Sequence, residues 1–99
     1  MDSDYKICWT DEAIKNLESI LDYLKSRWTQ REIDNFRKRL GKQIKLIENN
    51  PNLFPRSDYN RRLRKAVLSK HTTIFYEVSG QMIYLVYLFN NQQSVERIK

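Results

Sequence analysis

Apolar residues in this chain recur with two different periods, and the change of period divides it. From Ala13 the apolar positions continue through Ile14, Leu17, Ile20, Leu21, Leu24 and Trp28, at spacings dominated by three and four. That spacing predicts an amphipathic helix reaching about Arg27, with one stripe to bury. Thr10 stands ahead of it as an N-cap, and Asp11 and Glu12 set negative charge against the positive end of the helix dipole. Thr29-Gln30-Arg31-Glu32 then fits a capping box, in which hydroxyl and carboxylate each satisfy a backbone amide of the first turn. Ile33, Phe36, Leu40, Ile44 and Ile47 form the stripe of this second helix. So short a break between two amphipathic helices predicts an antiparallel hairpin, because only folding back lets both stripes share one core.

Elsewhere the pattern is that of strands. Residues 4–9, centred on Tyr5-Lys6-Ile7-Cys8-Trp9, are rich in β-formers and predict a first strand, with Cys8 as a small core residue. Asn49-Asn50-Pro51-Asn52 ends the second helix, since proline cannot continue it. Leu53 and Phe54 are expected to pin the following loop to the core, and residues 55–62 to form a polar, basic connection. Leu63 to Leu68, Thr72 to Val78 and Met82 to Phe89 read as three strands. The Ser79-Gly80 pair is a hairpin signal, because glycine accepts positive φ. The last strand is apolar on both faces and is therefore expected to be central in its sheet. Strict alternation would put Tyr84 and Tyr87 on opposite faces. Residues 90–99 read as a polar tail. The order is β-α-α-β-β-β. It predicts an α+β fold, a single domain over 1–99 with a helical hairpin on a twisted, mostly antiparallel four-stranded sheet.

Charge adds a direction to this outline. The 99 residues carry 18 Lys and Arg against 12 Asp and Glu, for a net charge of +6. Residues 1–30 sum to −2, residues 31–70 to +8, and the rest to zero. Clustered cations add their fields and attract polyanions, whereas scattered ones cancel. Arg61, Arg62, Arg64 and Lys65 form the densest group, with Arg62 and Arg64 expected on one strand face. Lys38, Lys42 and Lys45 lie on one face of the second helix as i,i+4 and i,i+3 neighbours, a pattern that also suits an ordinary solvated helix. One Cys and one His exclude an internal disulfide and a Cys/His zinc set, so no metal or cofactor is expected. The longest apolar run is too short to cross a bilayer, and the acidic Met1-Asp2-Ser3-Asp4 start carries no signal-peptide pattern. A soluble cytoplasmic protein is expected.

Three stretches carry a resemblance. Cys8-Trp9-Thr10-Asp11-Glu12-Ala13 looks like a strand-to-helix junction, and Ile47-Glu48-Asn49-Asn50-Pro51-Asn52-Leu53-Phe54-Pro55 like a helix exit. Arg64-Lys65-Ala66-Val67 with Ser69-Lys70-His71-Thr72-Thr73-Ile74-Phe75-Tyr76 looks like a middle hairpin. In this order they resemble the RelE/ParE superfamily of bacterial type II toxins over essentially the whole chain. The resemblance implies a cognate antitoxin, whose acidic, partly disordered segment wraps the toxin in a hetero-oligomer.

It also implies a choice of target: the ribosome, where RelE-like members cut messenger RNA, or DNA gyrase, which ParE-like members poison. A nuclease needs cations and proton carriers around the scissile phosphate. By resemblance Arg64 fills the first basic place; a reduced nuclease site would use Arg64, Lys65 and His71, although His71 also reads as a turn or strand-end histidine. Ala66, Thr73 and Gln92, however, stand where the nucleases carry charged or proton-shuttling side chains. The leading expectation is thus a ParE-like toxin that binds a protein target such as DNA gyrase, with Arg61, Arg62, Arg64, Lys65, Lys38, Lys42 and Lys45 as the residues that bind the target or the antitoxin. A messenger-RNA endonuclease and a degenerate toxin that only binds remain the alternatives.

Overall fold

A computed structural model describes residues 4–69 and 72–90. Strand β1 (Lys6–Trp9) leads into helix α1 (Asp11–Lys25) and helix α2 (Gln30–Asn49). Strands β2 (Arg64–Val67), β3 (Thr72–Ser79) and β4 (Met82–Asn90) follow. This is the expected order, with α1 ending two residues early at its Ser26 cap. The sheet order is β1-β4-β3-β2. Strand β3 is antiparallel to both β2 and β4, while β1 lies parallel to β4, so β4 is central as its apolar faces required. The hairpin turn is Gly80-Gln81, one residue later than the signal suggested, and Gly80 takes φ 61°.

Both helices present their stripes to one face of the sheet. Ala13, Ile20 and Leu24 of α1 share a core with Ile33, Phe36, Leu40 and Ile47 of α2. Ala66, Ile74, Tyr76, Ile83, Leu85 and Leu88 complete that core from the strands. Thr29 and Glu32 form the capping box that the sequence predicts. Thr10 does more than cap. Its Oγ1 accepts from the Ala13 amide at 3.1 Å and also lies 2.9 and 2.8 Å from the Leu85 and Val86 carbonyls, to which the hydroxyl donates.

Four local expectations are corrected. Cys8 is half-buried and registers with Tyr84 on the outer face, so it is not a core residue. Leu53 is 56% exposed, and of the two apolar loop residues only Phe54 packs inward, its ring edge-on to Tyr76 with centroids 6.3 Å apart. Asn90 belongs to β4 and is buried; the rest of the expected tail lies outside the described residues.

The fourth correction concerns β4. Phe75 registers with Tyr87 but Tyr76 with Leu85, leaving Val86 as an extra residue. Such a bulge resets the alternation of side chains. Ile83, Leu85, Leu88 and Asn90 are buried, and Met82, Tyr84, Tyr87 and Phe89 occupy the other face. Tyr84 and Tyr87 therefore share a face, the opposite of what strict alternation predicts.

Candidate functional site: an aromatic cleft on the open sheet face

The sheet face turned away from the helices gathers the aromatic rings. Phe75 and Tyr87 are cross-strand neighbours with ring centroids 4.9 Å apart, and Phe89 meets Phe75 edge-on at 6.4 Å. With Tyr59 and Asn60 they line a half-open cleft of about 670 Å³. Burial in this cluster, and secondarily the neighbouring Tyr59 phenol, raises the pKa of Tyr87. Tyr59 itself is 87% exposed. An open cleft with rings on its walls and polar atoms at its rim suits an amphipathic ligand.

The loop that carries Tyr59 is more ordered than its composition suggests. Lys65 donates its amide to the Pro55 carbonyl at 2.9 Å, and Ser57 donates to Leu63 at 2.8 Å. Arg56 bridges Arg64, so residues 55–57 cover the outer edge of β2. The buried Ser57 hydroxyl accepts from the amides of Tyr59 and Asn60 at 3.1 and 3.4 Å, which fixes the turn presenting both residues to the cleft. Backbone bonds and the single Ser57 hydroxyl carry this fastening, and it produces no periodicity from which sequence could find the site.

Within the predicted cationic group, Arg64 and Lys65 lie on opposite faces of β2. Arg64 lies on the helix-facing side, registered with buried Tyr76. Its Nη1 donates to the Phe54 carbonyl at 2.6 Å. Lys65 points to the opposite face, registered with Phe75 beside the cleft, and is exposed. The expectation that Arg62 and Arg64 share a strand face fails because Arg62 precedes β2. There it donates its amide to Asn60 Oδ1 in an exposed turn. Arg61 is exposed in the same turn, its carbonyl accepting from Arg56 Nη1 at 2.9 Å. Lys38, Lys42 and Lys45 are all exposed on α2, on the helical side of the molecule. His71 lies outside the described residues. Among the described residues no group of His, Cys, Asp and Glu could hold a metal ion.

The helical hairpin on a mixed four-stranded sheet, in the order β-α-α-β-β-β, matches the RelE/ParE-like α+β fold. The sequence matches the family described as "ParE toxin of type II toxin-antitoxin system, parDE" over residues 7–95. The chain belongs to that ParE toxin family. Its fold is similar to the chromosomal ParDE toxin-antitoxin system of P. aeruginosa, at 17% identity and TM-score 0.75, covering 87% of this chain and 95% of that one. The E. coli DinJ-YafQ toxin-antitoxin complex gives TM-score 0.63 at 11% identity, covering 91% and 96% of the respective chains. YafQ from E. coli strain BL21(DE3) gives 0.58 at 14% identity, with 91% and 97% covered. No curated protein matches the sequence.

Proposed function

We propose that this ParE-family toxin arrests growth by binding a protein target, DNA gyrase, and that a cognate antitoxin neutralises it. In this reading the open sheet face is the docking surface. The rings of Tyr59, Phe75, Tyr87 and Phe89 receive apolar side chains of an antitoxin segment. Lys65 beside them, and Arg61 and Arg62 in the adjoining turn, meet its carboxylates. Complex formation takes place in the cytoplasm. Among the described residues no helix is long and apolar enough to cross a membrane.

The observation that carries the reading is the divergence of Arg64 and Lys65. Stabilising the charge of a cleaved phosphodiester requires cations converging on one point. Neighbours on a strand project to opposite faces, and the guanidinium of Arg64 is already committed to Phe54. Binding, rather than phosphodiester chemistry, is what this arrangement serves.

Induced expression tests the proposal. Growth arrest accompanied by stabilised cleaved DNA–gyrase complexes, relieved by co-expressing the antitoxin, is the expected result. Codon-linked messenger-RNA cuts on translating ribosomes would move the protein to the nuclease branch. Harmless expression with intact antitoxin binding would make it a binding module only.

A further inference from the structure

On the opposite side of the molecule, α2 carries a second feature that the cleft does not use. Arg31, Lys38, Lys42 and Lys45 are separated by seven, four and three residues, steps that keep them within about 60° of one another around the helix. All four are exposed, and they lie opposite the buried Ile33, Phe36, Leu40 and Ile47. The row therefore faces away from the sheet, over about 21 Å of helix at 1.5 Å per residue. The acidic neighbours in the first turns are engaged elsewhere. Asp34 accepts from Gln30 at 3.0 Å, and Glu32 closes the capping box with Thr29. The helix carries six cations against Glu32, Asp34 and Glu48, so the row keeps a net positive charge, inside the chain segment whose net charge is +8.

We propose that this row is a binding surface for the phosphate backbone of duplex DNA. A polyanion is the ligand that a line of exposed cations in so positive a segment favours, through release of the counterions it displaces. The stripe has no aromatic residue on which unpaired bases could stack, so a duplex suits it better than a single strand. Leu46, 42% exposed, is the stripe's one exposed large apolar neighbour on α2, short of the cluster of anchors that a helical protein partner buries, and the aromatic rings stand on the far side of the sheet. The major groove of B-form DNA admits a helix, whereas that of A-form RNA is narrow and deep, which selects DNA. The surface lies apart from the cleft, so DNA and a partner in the cleft can be held together. The inference does not depend on what the cleft binds.

Fluorescence anisotropy of the full-length protein with a labelled 20-base-pair duplex of arbitrary sequence tests it across a salt series. Four phosphate contacts predict a loss of affinity of about 100-fold between 50 and 200 mM salt. In the Lys38→Gln/Lys42→Gln/Lys45→Gln variant the slope of log K against log salt should fall by about three, one for each lost contact. The Arg61→Gln/Arg62→Gln variant should keep the wild-type slope, and an RNA duplex of equal length should bind more weakly. All substituted residues are exposed, and matching thermal melts will establish that the variants fold. An unchanged slope in the triple variant overturns the proposal. So does a slope lost in the Arg61/Arg62 variant instead, equal binding of the RNA duplex, or polyglutamate binding with the same dependence on the three lysines.

Discussion

Tyr76 and Pro51 meet inside the core although 25 residues separate them: the tyrosine hydroxyl donates to the proline carbonyl at 2.6 Å. The ring is fully buried on β3, and Pro51 opens the loop that leaves α2. This bond, the Phe54 ring and the Arg64 guanidinium together fasten the helical layer's exit loop to the sheet. The loop that frames the cleft follows directly in the chain, so the core bond also sets where the site begins.

Replacing Tyr76 by Phe should cost about 1–3 kcal/mol, because it leaves the Pro51 carbonyl without its donor. Burial pushes the Tyr76 phenol up to about 12, against an opposing pull from Arg64 and the Phe54 backbone. The folded state thus holds this proton more tightly than the unfolded chain. The stabilisation is complete below about pH 10 and is lost as pH rises from there toward 12. Denaturant titrations across that range should show a steeper alkaline loss for wild type than for Tyr76→Phe. Parallel curves would refute the assignment.

Arg64 and Lys65 should separate by phenotype. Arg64→Ala removes a charge-assisted bond to Phe54, and a loss of about 1.5–3 kcal/mol in folding stability is expected. Lys65→Ala touches an exposed side chain and should stay within about 0.5 kcal/mol, while weakening partner binding at the cleft. Equilibrium unfolding and calorimetric titration with the antitoxin measure the two effects. Equal stability losses would contradict the opposed faces.

The two threonine caps are not equivalent. Thr29→Ala removes an exposed capping box and should cost about 1 kcal/mol. Thr10→Ala should cost more. It loses the same kind of cap together with the donor to the Leu85 and Val86 carbonyls at the bulge. Asn16 plays a matching part beyond the end of β1, its Oδ1 accepting from the Leu88 amide at 3.1 Å. Asn16→Ala strands that amide and is expected to cost about 1–3 kcal/mol. Thermal melts of the three variants should rank Thr29→Ala as the mildest.

Tyr59 offers a clean probe of the cleft. At 87% exposure, its ring can be cut back to Ala with little effect on folding. If the cleft is the docking face, Tyr59→Ala should weaken antitoxin binding by about tenfold or more, in the range of aromatic anchor residues at interfaces. Phe89→Ala should act in the same direction. Unaltered affinity in both would place the partner elsewhere.

Local chemistry determined much of this protein by itself. The helical stripes, the Thr29-Gln30-Arg31-Glu32 box, the stop at Pro51 and the apolar run of β4 are written in spacings of a few residues. Each acts through neighbours in the chain, which is why the element order, the central place of β4 and the family resemblance were legible. Tertiary structure alone decided where the site lies. The Val86 bulge depends on which β3 residue each β4 residue meets, and by one extra residue it moved Tyr87 and Phe89 onto the same face as Tyr84. The orientation of Arg64 likewise required Phe54 and Tyr76 to arrive from other segments. Register and loop docking are set by contacts between distant parts of the chain, and a periodicity read along the sequence carries no information about them.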